Sequence, residues 1–147
     1  MTNQPTIIDR LTAAPASSRD VASVAEAVSR DLLLLLNSWE VLPTSDTPYS
    51  EAMQSSVLNY GVPNMSGRSA GPVNLQEYEK LVRDAVLRFE PRLKSEGLEV
   101  EVGPLPPPAG SAEFGLRIEG VLAGVDSSRR VTFRSRVSAT TGRVALA

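Results

Sequence analysis

The side chains that could do acid–base chemistry in this sequence are carboxylates, hydroxyls and amines, because its 147 residues include no histidine and no cysteine. Histidine is the commonest general base and the commonest transition-metal ligand, so its absence removes both roles. Carboxylate pairs can instead cleave glycosidic bonds, with one acid protonating the leaving oxygen while the other acts as base or nucleophile. The candidate acids are Glu77, Glu79, Glu90, Glu99 and Glu101.

None of these acids has a partner that makes a convincing catalytic pair. Glu99 and Glu101 alternate with apolar residues, so we expect them on the solvated face of a strand, where ion pairs are their ordinary role. Glu90 alone has a special setting, and one carboxylate does not make a glycosidase. The sequence also contains no phosphate-binding loop and no metal-ligand spacing. We therefore predict no catalytic residue, no metal site and no cofactor.

Glu90 belongs to a charged corner, Phe89-Glu90-Pro91-Arg92-Leu93. Pro91 ends the preceding helix because proline lacks an N–H and pushes the residue before it out of the helical region. Glu90 and Arg92 are then two residues apart in extended backbone, so both side chains can point to one side. We expect Phe89 and Leu93 to anchor the corner in the core. Anchoring would partly desolvate the charges, and desolvated charges need partners.

Two interpretations of this corner remain open. The charges can fasten the chain's own loops, in the region of the Asn59-Tyr60-Gly61 turn. Alternatively, they bind a helix of a neighbouring subunit, with Arg92 offering its planar fork to a carboxylate or to helix-end carbonyls. We favour the second interpretation, under which loss of Glu90 or Arg92 leaves the isolated protein nearly unaffected.

Periodic apolar residues predict the elements that position this corner. Asn74 followed by Glu77 is a variant of the capping box and indicates a helix start. The helical stripe that follows consists of Tyr78, Leu81, Val82, Ala85 and Phe89. Strands are predicted from alternating residues in 98–102, 114–118 and 131–137, with a short last strand at Val144 and Leu146. Strands clustered after helices favour an α+β domain, with a small antiparallel sheet of three to four strands packed on two main helices.

A first helix is predicted from about residue 19 or 20 to Asn37, and its last turns are apolar all round. The run Leu32–Leu36 covers every face, so each face must be buried by the chain itself or by a partner. Leu33 and Leu34 are the positions where these two possibilities differ. We include both leucines among the candidate partner-binding residues.

Length and charge bound the remaining choices. We expect a flexible N-terminal segment, residues 1–18, followed by a single domain over residues 19–147. A net charge of −2 gives no electrostatic case for nucleic acid. The longest purely apolar run, residues 32–36, is far shorter than the roughly 20 residues that cross a bilayer. We therefore expect a cytoplasmic protein without direct membrane insertion.

Four segments in order carry a resemblance to a known family. They are Ile7-Ile8-Asp9-Arg10-Leu11, Ser29-Arg30-Asp31-Leu32 with Leu35-Leu36-Asn37, Ser56-Val57-Leu58-Asn59-Tyr60-Gly61 with Pro63, and Phe89-Glu90-Pro91-Arg92-Leu93. Together they resemble the TssE family of baseplate wedge subunits from bacterial type VI secretion systems, which is similar to the wedge proteins of contractile phage tails. The resemblance covers nearly the whole chain.

The resemblance implies a non-enzymatic structural subunit of a hetero-oligomeric baseplate, joining other wedge subunits and the first ring of the contractile sheath. The family's Glu-Pro-Arg motif maps onto Glu90, Pro91 and Arg92, and its Asn-Tyr-Gly motif maps onto Asn59, Tyr60 and Gly61. Where the family usually has charged residues, this chain has Leu33 and Leu34. That departure favours a more apolar partner contact.

Two alternative functions remain. The chain can be a wedge protein of a phage tail or of an extracellular contractile injection particle, with the same fold and role. It can also be a peptidoglycan muramidase, as the historical "lysozyme" label of the phage proteins suggests. The missing second carboxylate and the lack of an export signal at the N-terminus count against a muramidase, and we predict that the protein has no such activity.

Overall fold

The computed structural model describes residues 21–39, 50–64, 66, 72–105, 112–123 and 129–147. The expected flexible segment, residues 1–18, lies outside the described residues. Within the described part of the chain, no helix is both long enough and apolar enough to cross a membrane.

Helices precede strands along the chain, as the sequence pattern predicts. The elements are α1 Val21–Leu36, a short α2 Glu51–Gln54, a 3₁₀ turn Val57–Asn59, α3 Pro72–Phe89, β1 Glu99–Pro104, β2 Glu113–Val121, β3 Arg130–Ser138 and β4 Val144–Leu146. The strands form one sheet in the order β1-β2-β3-β4, and each neighbouring pair is antiparallel. The predicted α+β class, with two main helices and a small antiparallel sheet, is confirmed.

Helix α3 begins earlier than its capping pattern predicts. Its first residue is Pro72, so Asn74 lies inside the first turn and is not the residue before the helix. Proline suits a first helical position, because the N–H that it lacks would have no partner inside the helix there. The end of the helix is as predicted, since α3 stops at Phe89 immediately before Glu90 and Pro91.

The core forms between the helices and one face of the sheet. Alternating residues of β2 and β3 point inward, and Ile118 lies opposite both Val100 and Phe133 in the sheet register. From the helix side, Tyr78 meets Phe114 edge to face with ring centroids 5.7 Å apart. Aromatic pairs of this kind add roughly 0.5–1.5 kcal/mol beyond the apolar area that they bury.

Side chains of the two helices cover backbone groups at the two edges of the sheet. On the β1 side, the Glu79 carboxylate accepts from the Val102 N–H at 3.4 Å, and the Arg83 guanidinium donates to the carbonyl of Leu98. On the β4 side, the Asn37 amide donates to the Val144 carbonyl at 2.9 Å and accepts from the Val144 N–H at 3.0 Å. Such coverage limits unwanted pairing at sheet edges.

Replacing Asn37 with Ala should therefore loosen β4 from α1. We expect the free energy of unfolding to fall by about 1–2 kcal/mol, because two hydrogen bonds between the helix end and the strand are lost. Chemical denaturation monitored by circular dichroism measures the change. Ser38→Ala is the matched control, since the Ser38 hydroxyl, within the described residues, bonds to the carbonyl of Leu34 in α1, at 2.8 Å. Equal stability of the two variants would contradict the role given to Asn37.

Candidate functional site

The charged corner after α3 is closed by a bidentate ion pair within the motif. The Arg92 guanidinium donates from Nε to Glu90 Oε1 at 2.7 Å and from Nη2 to Glu90 Oε2 at 2.6 Å. The Arg92 backbone N–H also donates to Glu90 Oε1, at 3.2 Å. Both side chains point to one side, as predicted. However, Glu90 occupies the fork of Arg92, so the expectation that this fork binds a partner's carboxylate does not fit the geometry.

Asp31 of α1 completes the cluster. Its Oδ2 accepts from Arg92 Nη2 at 2.6 Å, and its Oδ1 accepts from Arg30 Nη2 at 3.1 Å. The side-chain exposures are 5% for Glu90, 14% for Arg92 and 20% for Asp31. These residues form an alternating chain of charges, Glu90–Arg92–Asp31–Arg30, which joins the first helix to the corner. We call it the charge cluster.

Sequence reasoning did not identify Asp31 as a site residue. The feature of the sequence that could have indicated Asp31 is an acid within an apolar helical stretch. Its neighbours Val28, Leu32, Leu35 and Leu36 are all buried. A carboxylate beside buried apolar residues needs cationic partners. Within its own helix, Asp31 has the neighbouring Arg30, at 3.1 Å. Only the folded chain places Arg92 there.

Burial and hydrogen bonding set the protonation states around the charge cluster. The hydrogen bonds from Arg92 to Glu90 raise the pKa of the guanidinium above its usual value, with a smaller contribution from Asp31. Arg92 is therefore a permanent cation. Burial raises the pKa of the Tyr60 hydroxyl, and the carboxylates of Asp31 and Glu90 raise it further. Tyr60 is therefore neutral at physiological pH.

Backbone hydrogen bonds attach the corner to the sheet. The Arg92 carbonyl accepts from the Ala123 N–H at 2.7 Å, and the Lys94 N–H donates to the Val121 carbonyl at 2.9 Å. Leu93 is 5% exposed, which confirms that it anchors the corner in the core. The corner is thus held by the end of β2 as well as by its ion pairs.

The Asn59-Tyr60-Gly61 turn packs beside the charge cluster. The Tyr60 ring meets Phe89 edge to face at 5.2 Å, and its hydroxyl lies 3.5 Å from the Asp31 carbonyl. Asn59 is buried and donates to the Gln54 carbonyl at 3.3 Å. Gly61 has a φ of 142°, a conformation that favours glycine. The structure thus brings the Asn-Tyr-Gly and Glu-Pro-Arg segments together.

Two large apolar side chains next to this turn face outward. Val57 is 84% exposed and Leu58 is 76% exposed, although Asn59 beside them is almost fully buried. The short segment therefore has one residue fixed in the protein and two presented to solvent. Sequence reasoning missed both as candidate residues, because a short apolar run does not reveal which of its members point outward.

The leucine run of α1 is divided between the core and the surface. Leu32, Leu35 and Leu36 are buried, and Leu33 is half-buried against the core. Leu34 is 54% exposed and lies three residues after Asp31, so these two positions are neighbours on one helix face. Leu34 therefore remains a candidate partner-binding residue, whereas Leu33 packs against the chain's own core.

Two of the candidate acids, Glu101 and Glu79, have structural roles. Glu101 pairs with Arg117 at 2.8 Å across the sheet, as expected for the solvated face, and Glu79 covers the edge of β1. Among the described residues, no group of acidic side chains has an arrangement that could hold a metal ion. In the charge cluster, the Glu90 and Asp31 carboxylates are both engaged in ion pairs with Arg92.

The comparisons with known proteins agree with this description. The family profile of baseplate wedge protein gp25 matches residues 22–127. The chain belongs to that family. Among solved structures, a chain of "The baseplate complex from the type VI secretion system" has a similar fold, with a TM-score of 0.55 and 15% sequence identity. The similarity covers 80% of this chain and 96% of that chain. No curated protein matches the sequence.

Replacing Arg92 with Ala should destabilise the isolated protein, contrary to the sequence-based expectation. The buried Glu90 would lose the one cation that pairs with it among the described residues, and breaking a buried pair from one side typically costs about 3–5 kcal/mol. Urea denaturation of the purified protein measures the loss. Arg136→Ala is the control, because Arg136 is exposed, forms no ion pair with a described residue and lies opposite Gly115 and Ala145, so its midpoint should not change. An unchanged midpoint for Arg92→Ala would contradict the structural role of the charge cluster.

Proposed function

We propose that this protein is a non-enzymatic structural subunit of a type VI secretion system baseplate, joining other wedge subunits and the first sheath ring. The observation that carries the proposal is the family match over residues 22–127, most of the chain. A chain of similar fold in a type VI secretion baseplate complex supports the baseplate role. The charge cluster, whose carboxylates are paired with arginines, supports a binding role over a hydrolytic one.

The wedge contact in this proposal lies around the charge cluster. Glu90, Pro91 and Arg92 with Asn59, Tyr60 and Gly61 form its rigid base, since their side chains and turns are bonded within the chain. Val57 and Leu58 supply exposed apolar surface beside that base. Exposed apolar side chains next to a rigid polar anchor are typical of a protein interface.

Arg92 contributes to this contact through the side of its guanidinium that Glu90 leaves open. Nε and Nη2 are bonded to Glu90 and Asp31, whereas Nη1 has no hydrogen bond within the described residues. Nη1 can donate to carbonyls at the end of a partner helix, which is a geometry that arginine suits. The partner therefore meets a guanidinium that is already oriented, and little side-chain entropy is lost on binding.

Leu34 extends the apolar part of the proposed contact. It is more than half exposed and lies on the same face of α1 as Asp31. Leu33 packs against the core instead, so changing both leucines together would test folding and binding at once. Leu34→Glu alone is the cleaner variant.

The proposed sheath contact is the outer edge of β4. Arg143 and Ala147 bond to β3 at either end of this strand. The intervening Leu146 has backbone groups on the outer side without partners among the described residues, and its side chain is 55% exposed. An open edge can accept a strand from a neighbour through backbone hydrogen bonds. Removing residues 143–147 is a poor test, because Val144 is 5% exposed and belongs to the core.

A double variant at the exposed apolar residues tests the proposed wedge contact. A Val57→Asp/Leu58→Asp variant should keep the melting temperature of the wild type, because both side chains are exposed, and should fail to co-purify with the other wedge subunits. Gln76→Asp/Ser95→Asp is the matched control, since it adds the same charges at two exposed positions. A double variant that still assembles would contradict this contact.

A proline substitution tests the proposed sheath contact at the β4 edge. Leu146→Pro removes only an outward N–H, and proline is tolerated at such edge positions, so the protein should fold normally. Sheath assembly on the baseplate should nevertheless drop several-fold. Leu146→Ala keeps the N–H and should retain assembly. Normal sheath assembly with the proline variant, seen by fluorescence microscopy of labelled sheath, would exclude this edge.

A further inference from the structure

The outer face of the sheet carries charges of both signs, divided between strands. Glu99 and Glu101 lie on β1, and Arg134 and Arg136 lie on β3. All four are exposed. Neither arginine forms an ion pair or a side-chain hydrogen bond with a described residue. We call Arg134 and Arg136 the basic pair.

The position of Arg134 is unfavourable in the isolated chain. It lies directly opposite Arg117 of β2 in the sheet register. Like charges directly opposite each other destabilise an antiparallel pair. Arg117 itself is bonded to Glu101 at 2.8 Å and to Glu119 at 2.5 Å, and these bonds raise the pKa of the Arg117 guanidinium. These two carboxylates therefore form ion pairs with Arg117, and no described carboxylate forms an ion pair with Arg134.

Small residues flank Arg136, whereas Arg134 lies opposite Arg117. Arg136 lies between Gly115 of β2 and Ala145 of β4 in the register. Leu105 folds over Gly115, since a methyl group at position 115 would come within 3.2 Å of its Cδ2 atom. Beside the basic pair lies a shallow groove of about 530 Å³, lined by Leu105, Arg117, Arg134 and Ala147 and also by the acids Glu79 and Glu101.

We infer that the basic pair binds an extended acidic segment of a protein partner, which lies over β3 and β4 on the side away from the acids of β1. Carboxylates two residues apart in the segment would pair with Arg134 and Arg136. Alternate residues of an extended chain point to one side, which suits two cations on one face of a strand. The inference deepens the proposed role of the sheet as an assembly surface and rests on it.

The charges of the same face favour a protein segment over nucleic acid or a membrane. Glu79 and Glu101 line the neighbouring groove and would repel a phosphate backbone that extended across the sheet, while the whole chain has a net charge of −2. Binding to polyanions draws its affinity from many phosphate contacts, and this face offers two uncompensated cations. A short acidic segment can meet both and avoid the acidic strand.

The test uses the full-length protein and a fluorescein-labelled peptide of alternating Glu and Val residues, with binding measured by fluorescence anisotropy. The Arg134→Glu/Arg136→Glu variant should bind roughly tenfold more weakly, and added salt should weaken wild-type binding. Lys80→Glu/Lys94→Glu makes the same change of charge outside the basic pair and its neighbouring groove, and it should bind like the wild type. Arg134→Glu alone should raise the melting temperature by about 1–3 °C, because it replaces a repulsive pair with an attractive one.

The other outcomes would overturn the inference. They are equal binding by the two double variants, no binding of the acidic peptide, or tighter binding of a single-stranded DNA oligonucleotide or of phosphatidylserine vesicles. Co-purification with wedge subunits separates this inference from the proposed function. If only the inference fails, the Arg134→Glu/Arg136→Glu variant and the wild type both assemble. If only the proposed function fails, peptide binding persists and neither protein assembles.

Discussion

The ion pair between Glu90 and Arg92 is the constraint on which the site depends. The Glu90 carboxylate is 5% exposed and must be compensated by a cation. Pro91 ends the helix between Glu90 and Arg92, and this allows their side chains to point to the same side. Arg92 also reaches Asp31, so one guanidinium holds α1 against the end of α3. The turn with Tyr60 then packs on both, through the Asp31 carbonyl and the Phe89 ring.

The same arrangement explains how a small wedge protein can present a defined surface. Side chains that are fully engaged within the chain, such as Glu90 and Asn59, fix the backbone. Neighbouring side chains that find no place in the core, such as Val57 and Leu58, remain outside. Rigid backbone beneath exposed apolar groups lowers the entropy lost on association, which favours assembly into a larger complex.

The sheet divides its faces and edges between folding and contact. Its inner face supplies the core, where Phe114, Ile118 and Phe133 are almost fully buried. Helix side chains cover the β1 edge and the start of β4, and no described residue covers the rest of β4. On the outer face, acids and Arg117 compensate one another, while Arg134 and Arg136 of β3 have no ion-pair partner in the part of the chain that the structure describes. Folding therefore uses only part of the sheet.

The sequence by itself determined the class of fold, the order of the elements and the corner at Pro91. Those features follow from local rules: apolar spacing, strand alternation and the missing N–H of proline. It also identified the motif residues Glu90, Arg92 and Tyr60. Only the tertiary structure decided that Arg92 pairs within the chain, that Asp31 joins it from a helix 61 positions away, and that Leu33 and Leu34 have different surroundings. These depend on contacts between distant segments, whose partners no local pattern specifies.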